Sequence, residues 1–284
     1  MVQIREKFMK IVFLIAACAS IVSVVLICVF MFGSGIPAIK EIGFVKFIFG
    51  DIWKPNINVY GIFPMILGSI YVTALAILIG VPIGVLSAMF LSFFCPKILY
   101  RPLKSAVDLM AGIPSIVYGF FGLVVIVPIM QLVYGGSGKN ILTASILLGI
   151  MILPTIISVS ETSLRAVTKT YYEGSLALGA THERSVFYVV LPAAKSGVLA
   201  AIILGIGRAI GETMAVTMIA GNQTVMPRNI YDGVRTMTAN IVTEMGYATG
   251  LHREALIATA VVLFTFILII NLVFSTLKSH KEAI

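Results

Sequence analysis

The sequence predicts an all-α, polytopic membrane protein with six transmembrane helices, and three observations lead there. Of 284 residues, 59% are hydrophobic and 11% charged, with a mean hydropathy of +1.06, whereas soluble domains are about a quarter charged. The few charges bound uncharged stretches long enough for the roughly 20 apolar residues that a span requires. Gly and Pro punctuate those stretches and only three cysteines occur, which excludes disorder, a coiled coil or a disulfide scaffold.

The first stretch lies between Lys10 and Lys40, with its apolar core over residues 11–32. Residues 1–10 are expected to be a cytoplasmic N-terminus, 33–60 an extracytoplasmic loop, and 61–284 a core of five further spans with a cytoplasmic loop at about 161–195. Arg5, Lys7 and Lys10 before Ile15-Ala16-Ala17-Cys18 also suit a lipoprotein signal. The run continues to Phe32, beyond a signal core of about 7–15 residues, so a retained helix is expected. Cys18 and Cys28 are about 15 Å apart along that helix, too far for a disulfide.

The second stretch, Lys54 to Lys97, is interrupted by Gly68, Gly80, Pro82 and Gly84, of which Gly80 and Gly84 read as a close-packing or kink site. Trp53 and Tyr60 at its start read as an outer aromatic belt. The third runs from Asp108, read as a helix-start residue favoured by the dipole, to Lys139. The fourth runs from Lys139 to Glu161, and Pro114 and Pro154 are expected kinks. The fifth, Lys195 to Arg228, is broken only by Arg208 and Glu212. The last runs from Glu254 to Lys278.

Six spans put both termini on one side. Twelve Lys and Arg, from Arg5, Lys7 and Lys10 to Lys278 and Lys281, fall on the terminal side and seven on the other, which predicts cytoplasmic termini by the positive-inside rule. The net charge of +8 is thus a topology signal. No basic face with interleaved aromatics points to nucleic acid. Mixed charge between Asn222 and Glu254 suits either a solvated outer loop or a surface for a binding protein.

Catalytic patterns fail. Gly138-Lys139 is followed by Asn140 and preceded by Val133 where a Walker A loop needs Gly. His182-Glu183 meets Val186 where a zinc protease needs its second His, and no Gly-x-Ser-x-Gly occurs. The chain is expected to be no enzyme, with no metal or cofactor of its own.

Between spans four and five, Glu173-Gly174-Ser175-Leu176-Ala177-Leu178-Gly179-Ala180 is followed by Val189-Val190-Leu191-Pro192. Good helix formers with small residues describe a short helix that could enter a cleft on a partner, and Gly179 lets the backbone leave it. A second helix is expected from about Glu183 to Val190, stopped by Pro192. The segment resembles the EAA motif of ABC importer permeases, with Glu173, Gly179, Leu191 and Pro192 where that family has them and Gly174 and Ser175 replacing its two alanines. The resemblance implies the type I, MetI-like permease fold and a coupling element at Glu173, Gly174, Ser175, Gly179, Leu191 and Pro192 that docks onto ATPase subunits.

In the fifth span Arg208 and Glu212 are one turn apart, so a continuous helix would place them on one face and let them pair. Arg208 lies about 20 Å along from Lys195, near mid-membrane. Each such charge costs about 2.5–3.5 kcal/mol on insertion scales, so it faces the bundle or a watered path. Gly207 and Gly211 read as a close-approach site for a neighbouring helix. A structural ion pair is one reading, and a gate on the path of an anionic solute is the favoured one.

The run from Gly207 to Asn222, with Ala111 to Leu123 in the third span, resembles phosphate-specific ABC permeases of the PstC type. That implies import of inorganic phosphate through a heterodimer with a second, homologous permease. The resemblance also implies two ATP-binding cassette subunits that hydrolyse the ATP and an extracytoplasmic phosphate-binding protein that delivers the solute. A permease for sulfate or molybdate, and a stand-alone secondary transporter, are the alternatives.

Overall fold

The structure, a computed structural model, describes residues 2–282; the side chains of residues 2–4, 274, 275 and 277–282, among them Lys278 and Lys281, lie outside the described residues. Helix α1 runs from Val2 to Ile42, past the expected end at Phe32. Its continuation packs on the last helix, α14 (Gly250–Glu282). A Cβ at Gly35 would meet Val261 Cγ2 at 2.7 Å, and Phe32 and Phe264 meet edge to face with centroids 5.9 Å apart.

A short helix α2 (Phe44–Phe49) leads to the antiparallel hairpin β1 (Trp53–Lys54) and β2 (Val59–Tyr60), with Trp53 opposite Tyr60. Then come α3 (Phe63–Met89) with a π-helical end at Phe90–Phe94, and α4 (Lys97–Gly112). The third span is α5 (Ser115–Phe121), a π turn and α6 (Val127–Tyr134), and the fourth is α7 (Ile141–Arg165). Helices α8 (Lys169–Ala177), α9 (His182–Ser185) and α10 (Leu191–Ala193) form the connecting loop, with a π turn at Val186–Val190. Helices α11 (Lys195–Gly211), α12 (Met214–Ile219) and α13 (Met237–Met245) precede α14. Among the described residues, five helices are long and apolar enough to cross a membrane, and a sixth span results if the pair His182–Ala193 and Lys195–Gly211, bent by 72°, is counted as one.

The centre is the parallel pair α3 and α7. Small residues let them touch: a Cβ at Gly80 would meet Gly149 O at 2.9 Å, and one at Gly84 would meet Ile156 Cγ2 at 2.7 Å. Ser145 Oγ donates to Val72 O across the pair at 3.1 Å, so little hydrophobic drive is needed where dispersion and hydrogen bonds hold helices in lipid. Pro154 is buried inside α7, which continues as one helix. Because α3 and α7 run the same way, the hairpin lies at one end and α8–α10 at the other. Helix α1 runs toward the hairpin end and α14 away from it, so the start of α1 and the end of α14 share the α8–α10 end.

Two expectations are corrected. Asp108 lies within α4 rather than at the start of a span, and pairs with Lys104 at 3.3 Å. The break comes at Ile113–Pro114, after which α5 begins. Trp53 and Tyr60 are 5% and 2% exposed, so they are no lipid-facing belt. Trp53 Nε1 donates to Glu244 Oε2 at 2.9 Å. Arg235 and His252 Nε2 also pair with that buried carboxylate, the latter at 2.8 Å, and the His252 ring stacks on Tyr60. This polar knot joins the hairpin, α13 and α14 because a buried carboxylate must find donors or stay uncharged.

Candidate functional site

The loop between α7 and α11 is built by its turn chemistry. Gly179 has φ +85, its N–H donates to Leu176 O at 2.9 Å, and the Ala180 N–H donates to Ser175 O at 3.1 Å. These are the two bonds of a Schellman helix end, which needs a left-handed residue that glycine adopts without penalty. Thr181 then caps α9 by accepting from Arg184 N at 3.3 Å. The helix does not stop before Pro192 as expected: the helical stretch His182–Ala193 passes through it by one residue, with a π turn at Val186–Val190 immediately before it.

The loop is gripped from behind and open in front. Tyr172 Oη and His182 Nδ1 share a hydrogen bond of 2.6 Å, while Phe94 lies edge-on to His182 and Phe93 tilts against Tyr172. Glu173, Gly174, Gly179 and Pro192 are exposed; Leu191 is half-buried and Ser175 Oγ donates to Tyr172 O at 2.8 Å. At the tip Leu178 is 92% exposed. Tyr171 and Tyr188 of the same loop are exposed as well, at 60% and 77%.

In the fifth span the structure separates the two expected partners. Helix α11 ends at Gly211, and Glu212 is extended at φ −67, ψ 131, so the one-turn argument does not apply. Glu212 Oε1 instead accepts from Ala215 N at 3.2 Å in the first turn of α12, and Glu212 O accepts from Thr238 Oγ1 at 3.0 Å. Arg208 is half-buried, and its Nη1 donates to Thr155 Oγ1 of α7 at 3.4 Å. Among the described residues, nothing apart from the adjoining backbone of its own helix lies within 4 Å of a Cβ built at Gly207 or Gly211, so the small face is open where a neighbouring helix was expected. Nearby, Tyr118 Oη donates at 2.9 Å to Met110 O, a carbonyl that Pro114, lacking an N–H, cannot serve.

Residues 80–280 match the family of binding-protein-dependent transport system inner membrane components. The chain belongs to that family. It is 36% identical to a probable ABC transporter permease protein, YqgH, of Bacillus subtilis, over 93% of this chain and 90% of that one. It is 34% identical to the phosphate transport system permease protein PstC of Mesorhizobium japonicum, over 86% and 81%. The inward-facing MetNI methionine ABC transporter has a chain that superposes with a TM-score of 0.63 at 20% identity, over 81% of this chain and 99% of that one. At that identity the likeness is one of fold, and it makes the expected MetI-like architecture the observed one. The chain is thus a non-catalytic membrane subunit.

Sequence reasoning about this permease missed the residues that hold the named ones in place. Thr155 sits in an apolar run without a pattern to mark it, and Tyr118, although inside the Ala111 to Leu123 segment, carries no expected role of its own. Glu161 and Arg165 are four apart on α7 and readable as a helical pair, but their long-range partners Tyr100 and Lys104 are not.

Proposed function

We propose that the chain is the transmembrane permease subunit of an ATP-driven importer of inorganic phosphate, in the cell membrane with both termini cytoplasmic. A second, homologous permease completes the path, two ATP-binding cassette subunits dock at Glu173 to Pro192 and hydrolyse the ATP, and an extracytoplasmic phosphate-binding protein delivers the anion to the hairpin end. The similarity to phosphate-system permeases over most of both chains carries the choice of solute. The site chemistry agrees with it. Arg208, which among the described residues has one long hydrogen bond and no carboxylate held against it, lies in the span whose glycine face is open. A guanidinium there lowers the cost of bringing an oxyanion into low dielectric. Glu212, fixed on α12, stands one step along the break as a competitor that helps release it.

The test is uptake of radiolabelled phosphate by proteoliposomes holding the four-subunit complex and its binding protein. ATP-dependent uptake is expected, lost in Arg208→Gln while the complex still assembles. Gradient-driven uptake by this chain alone, indifferent to ATP, would sink the reading. ATP-dependent uptake of labelled sulfate or molybdate, with none of phosphate, would keep the architecture and change the solute.

A further inference from the structure

A second polar cluster lies at the root of the α8–α10 loop. Glu161, in the last turn but one of α7, is 3% exposed. Its Oε1 accepts from Tyr100 Oη at 2.7 Å and from Arg165 Nε at 3.0 Å, and its Oε2 lies 3.2 Å from Lys104 Nζ. Lys104 also donates to Ser158 Oγ at 3.0 Å and pairs with Asp108. Burial works against the Lys104 ammonium, and the two carboxylates outweigh it, so its pKa stands above the ordinary lysine value. Arg165 reaches further: its Nη2 donates at 2.9 Å to Leu91 O at the π-helical end of α3. The residue that would close a π-type bond onto that carbonyl is Pro96, which has no N–H. The guanidinium also lies over the Tyr100 ring, 4.6 Å from its centroid.

Helix α4 needs this cluster more than α7 does. None of its residues is fully buried; Val107 and Met110 are half-buried, and the polar side chains that fasten it to α7 are Tyr100 and Lys104. At its far end α4 meets the third span through Tyr118 Oη and Met110 O. We propose that Glu161 is a positioning residue for transport coupling: with Tyr100, Lys104 and Arg165 it forms a polar joint that passes movement of the α8–α10 loop to α4 and so to the third span. This rests on the proposed docking of ATPase subunits on that loop. An ionic joint suits the task, because Lys104 can shift its weight between Glu161 and Asp108 without leaving a buried charge unpaired, whereas an interdigitated apolar contact resists sliding.

The experiment removes only the α4 half, with Tyr100→Phe and Lys104→Met together, leaving Glu161 paired with Arg165. The reconstituted complex is assayed for phosphate imported per ATP hydrolysed and for stimulation of hydrolysis by the loaded phosphate-binding protein. We expect assembly and basal hydrolysis to persist while phosphate per ATP falls about 2- to 30-fold, and Lys104→Arg alone to retain the native ratio. An unchanged ratio in the double variant overturns the joint, as does a loss of uptake that only tracks a loss of assembled complex. A native complex without ATP-driven uptake would fail the proposed function and the joint together; a working native complex beside an unaltered double variant fails the joint alone.

Discussion

Gly179→Ala isolates what the loop's shape contributes to docking. Gly179 holds φ +85 and nothing lies within 4 Å of a Cβ built there, so the added methyl meets no neighbour and the cost is that of the backbone alone. A left-handed residue with a Cβ costs about 1–2 kcal/mol, and 1.4 kcal/mol is about tenfold in an equilibrium constant. If the ATPase subunits recognise α8 in the orientation set by this turn, the fraction of loop competent to bind falls and the apparent dissociation constant rises by the same factor, about 5- to 30-fold. Titrating the ATPase dimer onto the permease pair held in nanodiscs measures it. Two controls bracket the cause. Gly179→Asn tolerates the left-handed region and is expected to lose less. Gly174→Ala also meets open space but sits within α8, where alanine favours the helix by about 0.5–1 kcal/mol, so binding is expected to hold or tighten. A Gly179→Ala affinity within about twofold of native, or an equal loss in Gly174→Ala, would refute the turn as the determinant.

Further predictions concern the frame. Gly80→Ala must push against Gly149 O and Ile152 and is expected to cost about 1–3 kcal/mol, while Gly207→Ala meets open space and is expected to be neutral or stabilising by about 0.5–1 kcal/mol; thermal unfolding in detergent separates them, and equal shifts would contradict the helix packing. Glu244→Ala leaves Arg235, His252 and Trp53 Nε1 without their acceptor, an expected loss of about 3–5 kcal/mol. As Trp53 is the single tryptophan, its fluorescence reports the change directly, and an unshifted spectrum would deny that the indole is bonded there.

The spans were legible because apolar length and the few flanking charges are local properties. So was the Gly179 turn, where a helix-forming run meets a glycine, although the Thr181 cap that follows it was not read. The fifth span was misread for an equally physical reason. Four residues make one turn only while the helix lasts, and Gly211-Glu212-Thr213 ends it: glycine is a weak helix former and Glu212 can serve the next helix as a cap. The Gly207 and Gly211 spacing names a small face, but whether a helix fills it depends on tertiary placement. Trp53 and Tyr60 failed the same way, since the carboxylate that receives the indole is 191 residues away.

The break changes what Arg208 can do. In a continuous helix Glu212 would neutralise it, and an incoming anion would have to displace a carboxylate held one turn away. In the broken span Glu212 is committed to Ala215 N, and α13 fixes its backbone through Thr238. Among the described residues, the 3.4 Å contact with Thr155 is the hydrogen bond set against the insertion cost of an arginine, about 2.5–3.5 kcal/mol, and the open face leaves room for a further partner. On the proposed function that partner is the solute itself. On that reading the charge of the guanidinium beside the helix break would be completed by its cargo, and moving α11 against α12 would change how near Glu212 stands when the cargo leaves.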